Sequence, residues 1–192
     1  MRWKFCGIRD ETGLQRAVEA GVDAVGFQVG QLYCGKSFIL PSTAGRLAEM
    51  LPPMVMPFLV THYTDYFEIV ELVERSEIRN LELHFNQLET LGKLRDMVGR
   101  TAKIIVTLYP DPTGYLELPV ELYAVADAVM VDPFHTSVAA QTPDVAPDWN
   151  FLRAFREKLA LPLILSGPVA VEQAEAAGIF ALNRIESPVN PD

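Results

Sequence analysis

Short apolar runs alternate with segments of helical periodicity along the whole chain, and this alternation constrains the fold more than any single residue does. The apolar runs are Trp3–Ile8, Val22–Val29, Met54–Thr61 (with Pro57 inside), Asn80–Phe85, Lys103–Tyr109, Ala128–Val131, Leu161–Leu165 and Ile179–Leu182. They are short, as strands buried on both faces are, and Lys103–Tyr109 is rich in β-branched residues. Between them, apolar residues recur at three and four positions, as in Leu14, Ala17 and Val18, which predicts amphipathic helices. Helices are expected at Leu14–Ala20, closed by Gly21, and at Pro41–Leu51, Tyr63–Arg75, Gln87–Val98, Leu116–Val125, Asp148–Leu159 and Val169–Ala177. Asp10 or Thr12 could cap the first of these, and Pro41 or Ser42 stands at the start of the second. Right-handed βα crossovers make sequential strands neighbours, so eight such strands predict a closed parallel barrel with its helices outside. Each unit averages about 24 residues, lean for such a barrel. An open doubly wound sheet is the alternative, but no Gly-x-Gly-x-x-Gly turn marks a dinucleotide site. The expected fold class is α/β, a single (βα)8 TIM-barrel domain over residues 1–192.

A chain of 192 residues suits one such domain. The net charge of -9 argues against a nucleic-acid partner, which demands a positive surface, yet leaves room for a local anion site. No apolar stretch approaches membrane-spanning or signal-peptide length. The two cysteines, Cys6 and Cys34, form no disulfide framework and, with three histidines, show no zinc spacing. A cytoplasmic protein with reduced thiols is expected, with no metal, no cofactor and no membrane. Apolar helix faces allow a monomer or a homodimer.

In parallel barrels, chemistry is placed at the carboxyl ends of the strands. Those positions hold Cys6, Gln28, Thr61, His62, His84, Thr107, Asp132, Ser166, Gly167, Asn183 and Arg184. Cys6 is an acid/base group, a nucleophile or a small buried hydrophobe. Asp132 emerges from Ala-Val-Met-Val into the mouth, where burial would favour its proton; otherwise it caps the next turn. Asp127 precedes the same strand and lies at the opposite, structural face. His62 and His84 are proton carriers, ligands or simply hydrogen-bonded residues. Ser166-Gly167 ahead of a helix offers free amides to an anion, with Arg184 as a neighbouring cation.

Several segments together resemble phosphoribosylanthranilate isomerase. They are Lys4-Phe5-Cys6-Gly7-Ile8, Ala20 to Phe27, Ala126 to Asp132, Asp148-Trp149, Leu163 to Gly167, and Glu186-Ser187. The resemblance implies a small (βα)8 barrel that performs an Amadori rearrangement in tryptophan biosynthesis. It implies Cys6 as the general base at the sugar C2 and Asp132 as the general acid at the ring oxygen, with a phosphosugar substrate and no cofactor.

Its recognition loops differ from the family pattern. The family's second loop carries an arginine for the anthranilate carboxylate, where this chain has Gly35 to Pro41 with Lys36 as its cation. The glycine-rich sixth loop is replaced by Ala139-Ala140-Gln141-Thr142-Pro143, and the paired glycines after strand seven by Gly167-Pro168. Asn183-Arg184-Ile185-Glu186 stands where Ser-Gly-Val-Glu is usual, and Leu83-His84-Phe85 where Leu-His-Gly is. Lys36, His84, Ser166, Gly167, Asn183 and Arg184 are therefore the expected substrate-binding residues. Two other readings stay open: a diverged paralogue for another sugar phosphate, or a non-catalytic barrel that binds a small molecule or a partner.

Overall fold

The computed structural model describes residues 1–30, 36–111, 115–132, 148–167, 171–176, 179 and 181–185. Eight parallel strands close into a barrel in sequential order. They are β1 (Arg2–Cys6), β2 (Ala24–Gln28), β3 (Met56–Thr61), β4 (Asn80–Leu83), β5 (Lys103–Leu108), β6 (Ala128–Val131), β7 (Leu163–Ser166) and β8 (Ala181–Ile185). The helices between them are α1 (Glu11–Glu19), α2 (Pro41–Glu49), α3 (Tyr66–Ser76), α4 (Leu88–Val98), α5 (Leu122–Val125), α6 (Trp149–Lys158) and α7 (Val171–Ala176).

Local chemistry sets most of the helix starts. Asp10, Asp65 and Asp148 each cap a helix by accepting backbone N–H groups of the first turn, Asp10 from Gly13 at 2.8 Å. Proline opens α2, where its missing N–H costs nothing. The Asp65 cap explains why α3 begins at Tyr66 rather than at Tyr63. α5 is shorter than its periodicity predicts. Pro119 bars the α conformation for the residue before it, so only Leu122–Val125 forms a turn of helix.

Side chains alternate across each strand, which sorts the apolar residues into two cores. The outward set, such as Phe27, Leu59, Leu81, Val106 and Leu165, packs with the helices in the main core. The inward set forms a smaller cluster of Ile105, Ala128, Met130 and Ile164, with Phe58 packed against it. That cluster lines only part of the barrel interior. Buried polar side chains, among them Lys4, Glu82 and Thr107, share the interior with it.

Two aspartates tie down the amino-terminal face. Asp23, just before β2, accepts from the Trp3 backbone N–H at 2.9 Å and pairs with Arg2. Asp127, just before β6, accepts from the Ile104 N–H at 2.9 Å, from Arg95 at 2.6 Å and from Lys103 at 3.3 Å. Burial would raise both carboxyls, but these bonds outweigh it and hold both below the ordinary range. Arg95 itself is buried and also donates to the carbonyls of Val125, Gly99 and Ala102. It satisfies backbone acceptors that could not reach water there.

Candidate active site

The carboxyl ends of the strands surround a buried polar cluster anchored on β1. Strand alternation turns Lys4 and Cys6 to the same face, and both are buried while their neighbours Trp3 and Phe5 pack against the main core. Lys4 Nζ donates to Cys6 Sγ at 2.9 Å and forms an ion pair with Glu82 of β4, three strands away. The Lys4 and Glu82 side chains are only 5% and 1% exposed, so this pair spans the interior almost out of reach of solvent. The Phe58 ring lies 5.7 Å from the ammonium and adds a cation–π contact.

The network continues across β4 and β5. Glu82 Oε1 lies 3.3 Å from His84 Nε2, and His84 Nδ1 lies 2.6 Å from the Tyr109 hydroxyl. The His62 ring stacks on His84 at 4.3 Å. Burial pushes the Tyr109 hydroxyl up, and the negative charges of Asp132 and Glu82 push it further, so it stays protonated and able to donate. Burial would raise the Glu82 carboxyl too, but the Lys4 charge and the His84 bond overcome it and hold the group down to about 2. Lys4 shows the reverse balance: burial favours the neutral amine, yet the charges of Cys6 and Glu82 leave its pKa raised.

A carboxyl held below its unfolded value stabilises the fold above that value, and the contribution disappears as pH falls through the folded one. Urea midpoints of the protein are therefore expected to drop as pH falls from about 4.5 toward about 2. Glu82→Gln should remove a large part of that slope. An unchanged slope in the variant would show that the carboxylate is not held by Lys4.

Two glycines let β1 present its sulfur. Gly7 adopts a φ of 89°, a conformation costly for any other residue, and turns the chain immediately after Cys6. On β2, a Cβ built at Gly26 would stand 2.3 Å from Cys6 Sγ, 3.0 Å from Val60 Cγ2 and 3.3 Å from Lys4 Cε. Any side chain at Gly26 would occupy the volume that the sulfur fills.

The structure brings several of the expected residues to this mouth and leaves others apart. Cys6 ends β1 and Asp132 follows β6, its N–H bonded to the Leu108 carbonyl at 3.1 Å. His84 sits inside the network. Ser166, buried, ends β7, and Gly167 follows with a φ of 111°. Lys36 belongs to the loop that rejoins β2 through a bridge between Phe38 and Gln28. Its side chain is exposed, and its carbonyl accepts from Arg9 Nη1 at 3.0 Å.

The last strand differs from expectation. Ile179–Leu182 is predicted, whereas β8 spans Ala181–Ile185, because β1 offers five residues to pair and β8 takes all five. Asn183 and Arg184 therefore lie within the strand, Asn183 in register with Ser166 and Lys4, and Arg184 with Phe5. Cys34, Pro168, Glu186-Ser187 and the segment from Ala139 to Pro143 lie outside the described residues. Among the described residues, no group of three or more His, Cys, Asp or Glu side chains could hold a metal ion.

Lys4, Glu82 and Gly26 lie inside their strands and escape a reading confined to strand ends, while Tyr109, which follows β5, is a strand-end residue that the reading passes over. The available signal is parity: Lys4 stands two residues before Cys6, and Glu82 two before His84, so each shares the inward face of its neighbour. Chemically, the mouth offers a sulfur beside a fixed cation, and a carboxyl on another strand end.

No family model matches the chain. Among curated proteins it is 33% identical over 187 residues to N-(5'-phosphoribosyl)anthranilate isomerase of Natronomonas pharaonis, covering 95% of this chain and 86% of that protein. It is 27% identical over 179 residues to N-(5'-phosphoribosyl)anthranilate isomerase 2 of Methanosarcina mazei, covering 92% and 79%. The crystal structure of phosphoribosyl anthranilate isomerase from Thermus thermophilus superposes with a TM-score of 0.72 at 25% identity, over 98% of this chain and 90% of that one. The barrel, the cysteine that closes its first strand and this extent of similarity lead to one assignment: the chain belongs to the phosphoribosylanthranilate isomerase family.

Proposed function

We propose that the protein isomerises N-(5'-phosphoribosyl)anthranilate to its ketose by an Amadori rearrangement, in the cytoplasm, as a step of tryptophan biosynthesis. The observation that carries this reading is the Cys6 sulfur at the end of β1, 2.9 Å from a buried ammonium, in the same barrel mouth as the Asp132 carboxyl. The reaction needs one group to give a proton and another to take one. Asp132 donates to the ring oxygen as the C1–O bond breaks, leaving a protonated Schiff base at C1. Cys6 removes the C2 proton, and the electron pair of that bond forms the enolamine. Tautomerisation then gives the ketose. C2 is oxidised and C1 reduced within one molecule, so the step is an intramolecular oxidoreduction that calls for no external electron carrier.

The substrate's anionic groups require cations at the mouth. Arg9 stands three residues after Cys6 and is tied to the Lys36 carbonyl, so it places a guanidinium on the second loop. A guanidinium grips a carboxylate with two parallel N–H bonds, which a lysine cannot do. Arg9 thus fills the role that the loop itself leaves to Lys36. Ser166, Gly167 and Asn183 are the proposed phosphate side, at the end of β7 and in β8, whereas Arg184 shares the register of Phe5, which packs on the main core. Arg9→Ala is expected to raise KM about tenfold with kcat within about twofold, as loss of uniform binding does. Steady-state kinetics check this, and an unchanged KM removes Arg9 from the site.

The direct test is an assay with freshly generated phosphoribosylanthranilate, followed by loss of anthranilate fluorescence. Turnover supports the reading, and none from folded protein overturns it for this substrate. The lack of arginine over Lys36–Leu40 favours a related aminosugar phosphate as the second reading, so the same assay run on such compounds is its test.

A further inference from the structure

We propose that Lys4 is a positioning residue for the Cys6 sulfur: its buried ammonium holds Cys6 as a thiolate inside the barrel, and Glu82 keeps that ammonium charged. The proposal rests on the reading of Cys6 as the base and adds the device that makes a thiol basic there.

A thiol buried in apolar surroundings holds its proton more tightly than one in water, and a thiol is a poor base. Cys6 is 1% exposed, so burial alone would leave it inert. The ammonium at 2.9 Å reverses this. Attraction between unit charges grows as their distance and the local dielectric fall, and here both are small. A lysine equally buried without a carboxylate would release its own proton instead. Glu82 prevents that, since it pairs with the same nitrogen, and its other oxygen is engaged by His84. The Glu82 charge opposes a thiolate, but it acts from beyond the ammonium, which is bonded directly to the sulfur. The nearer charge prevails.

Besides Lys4, His84 can carry positive charge in this network, and its ring engages Glu82 and Tyr109. β2 contributes Gly26 and Gln28, β3 contributes Val60, and β7 contributes Ser166, none of which titrates. β4 contributes Glu82 and His84, β5 contributes Tyr109, and β6 is followed by Asp132. Gly26 completes the arrangement, because the space beside it is what lets the Sγ and the Lys4 stem lie side by side. Reciprocity supports the direction: the charge of Cys6 raises the Lys4 pKa, so the charge of Lys4 lowers that of Cys6 by the same coupling.

The test follows the ultraviolet absorbance of the thiolate against pH in full-length protein carrying Cys34→Ser, so that Cys6 is the sole thiol. Lys4→Met in that background is expected to make Cys6 at least tenfold less acidic, and Lys4→Arg to restore most of the acidity. The acid limb of kcat/KM should move upward with the same variants. Lys4→Met leaves Glu82 buried alone and can unfold the barrel, so Lys4→Met/Glu82→Leu is titrated as well, and the same weakening is expected there. An unchanged midpoint in whichever of these two folds overturns the proposal. The titration uses no substrate. Failure of the isomerase assay therefore removes the proposed reaction and leaves the Lys4–Cys6 coupling measurable, whereas an active enzyme with an unshifted midpoint removes Lys4 alone.

Discussion

Cys6→Ala is expected to fold like the parent and to lose turnover of phosphoribosylanthranilate by about a thousandfold, within the range a single general base supplies. The substitution removes one sulfur atom from a site bounded by Gly26, Val60 and Lys4, so its effect on stability is expected to be only about 1 kcal/mol. Asp132→Asn keeps the shape of the carboxyl and its backbone bond to Leu108 but removes the transferable proton, and a comparable loss is expected. Because the proposed reaction has the two residues act on different atoms of the substrate, the variants should differ in pH dependence: Cys6→Ala loses the acid limb of the profile and Asp132→Asn the basic limb. Fluorescence assays with circular dichroism as a folding control measure both. A folded Cys6→Ala protein that keeps its rate would mean that some other group takes the proton.

The largest stability effect is expected at Glu82. Glu82→Leu leaves the Lys4 ammonium in the barrel interior without its carboxylate and strips His84 Nε2 of its partner. Breaking one side of a buried pair costs roughly 3–5 kcal/mol, because the remaining charge is uncompensated. That is a large share of the stability of a domain this size. Replacing both partners is a different matter. Lys4→Met/Glu82→Leu substitutes apolar side chains of similar volume and is expected to recover to within about 1–2 kcal/mol of the parent. Urea midpoints for the two singles and the double form a closed cycle. If Glu82→Leu unfolds at the same midpoint as the parent, the pair is not the strut described above.

The barrel was readable from the order of apolar runs because each strand is buried on both faces and each helix on one. Periodicity carries that information without any knowledge of partners. The placement of Cys6 and Asp132 at strand ends followed from the same pattern. What periodicity could not carry is which face of a strand looks inward. Lys4 beside Trp3, and Glu82 between Leu81 and Leu83, have the composition of ordinary strand margins, and only closure of the barrel turns both into its interior. The limits of β8 depended on pairing with β1, which is the most distant strand in sequence. Asp127 was legible as structural from its place before β6, but the bonds by which it and Asp23 hold amides of a neighbouring strand are a tertiary fact with no local signature.

The strut between β1 and β4 has a further consequence for how this chain divides. Lys4, Cys6, Gly26, Glu82 and His84 all belong to the first four βα units, and Tyr109, Asp132 and Ser166 to the last four. A cut after α4 would leave the sulfur together with the charges that tune it on one fragment, and the carboxyl opposite on the other. In the proposed reaction the proton acceptor is then self-contained in one half-barrel, and the donor arrives only when the second half docks. Reassociation of two such fragments would then be reported by catalysis itself, since neither piece owns both ends of the proton exchange.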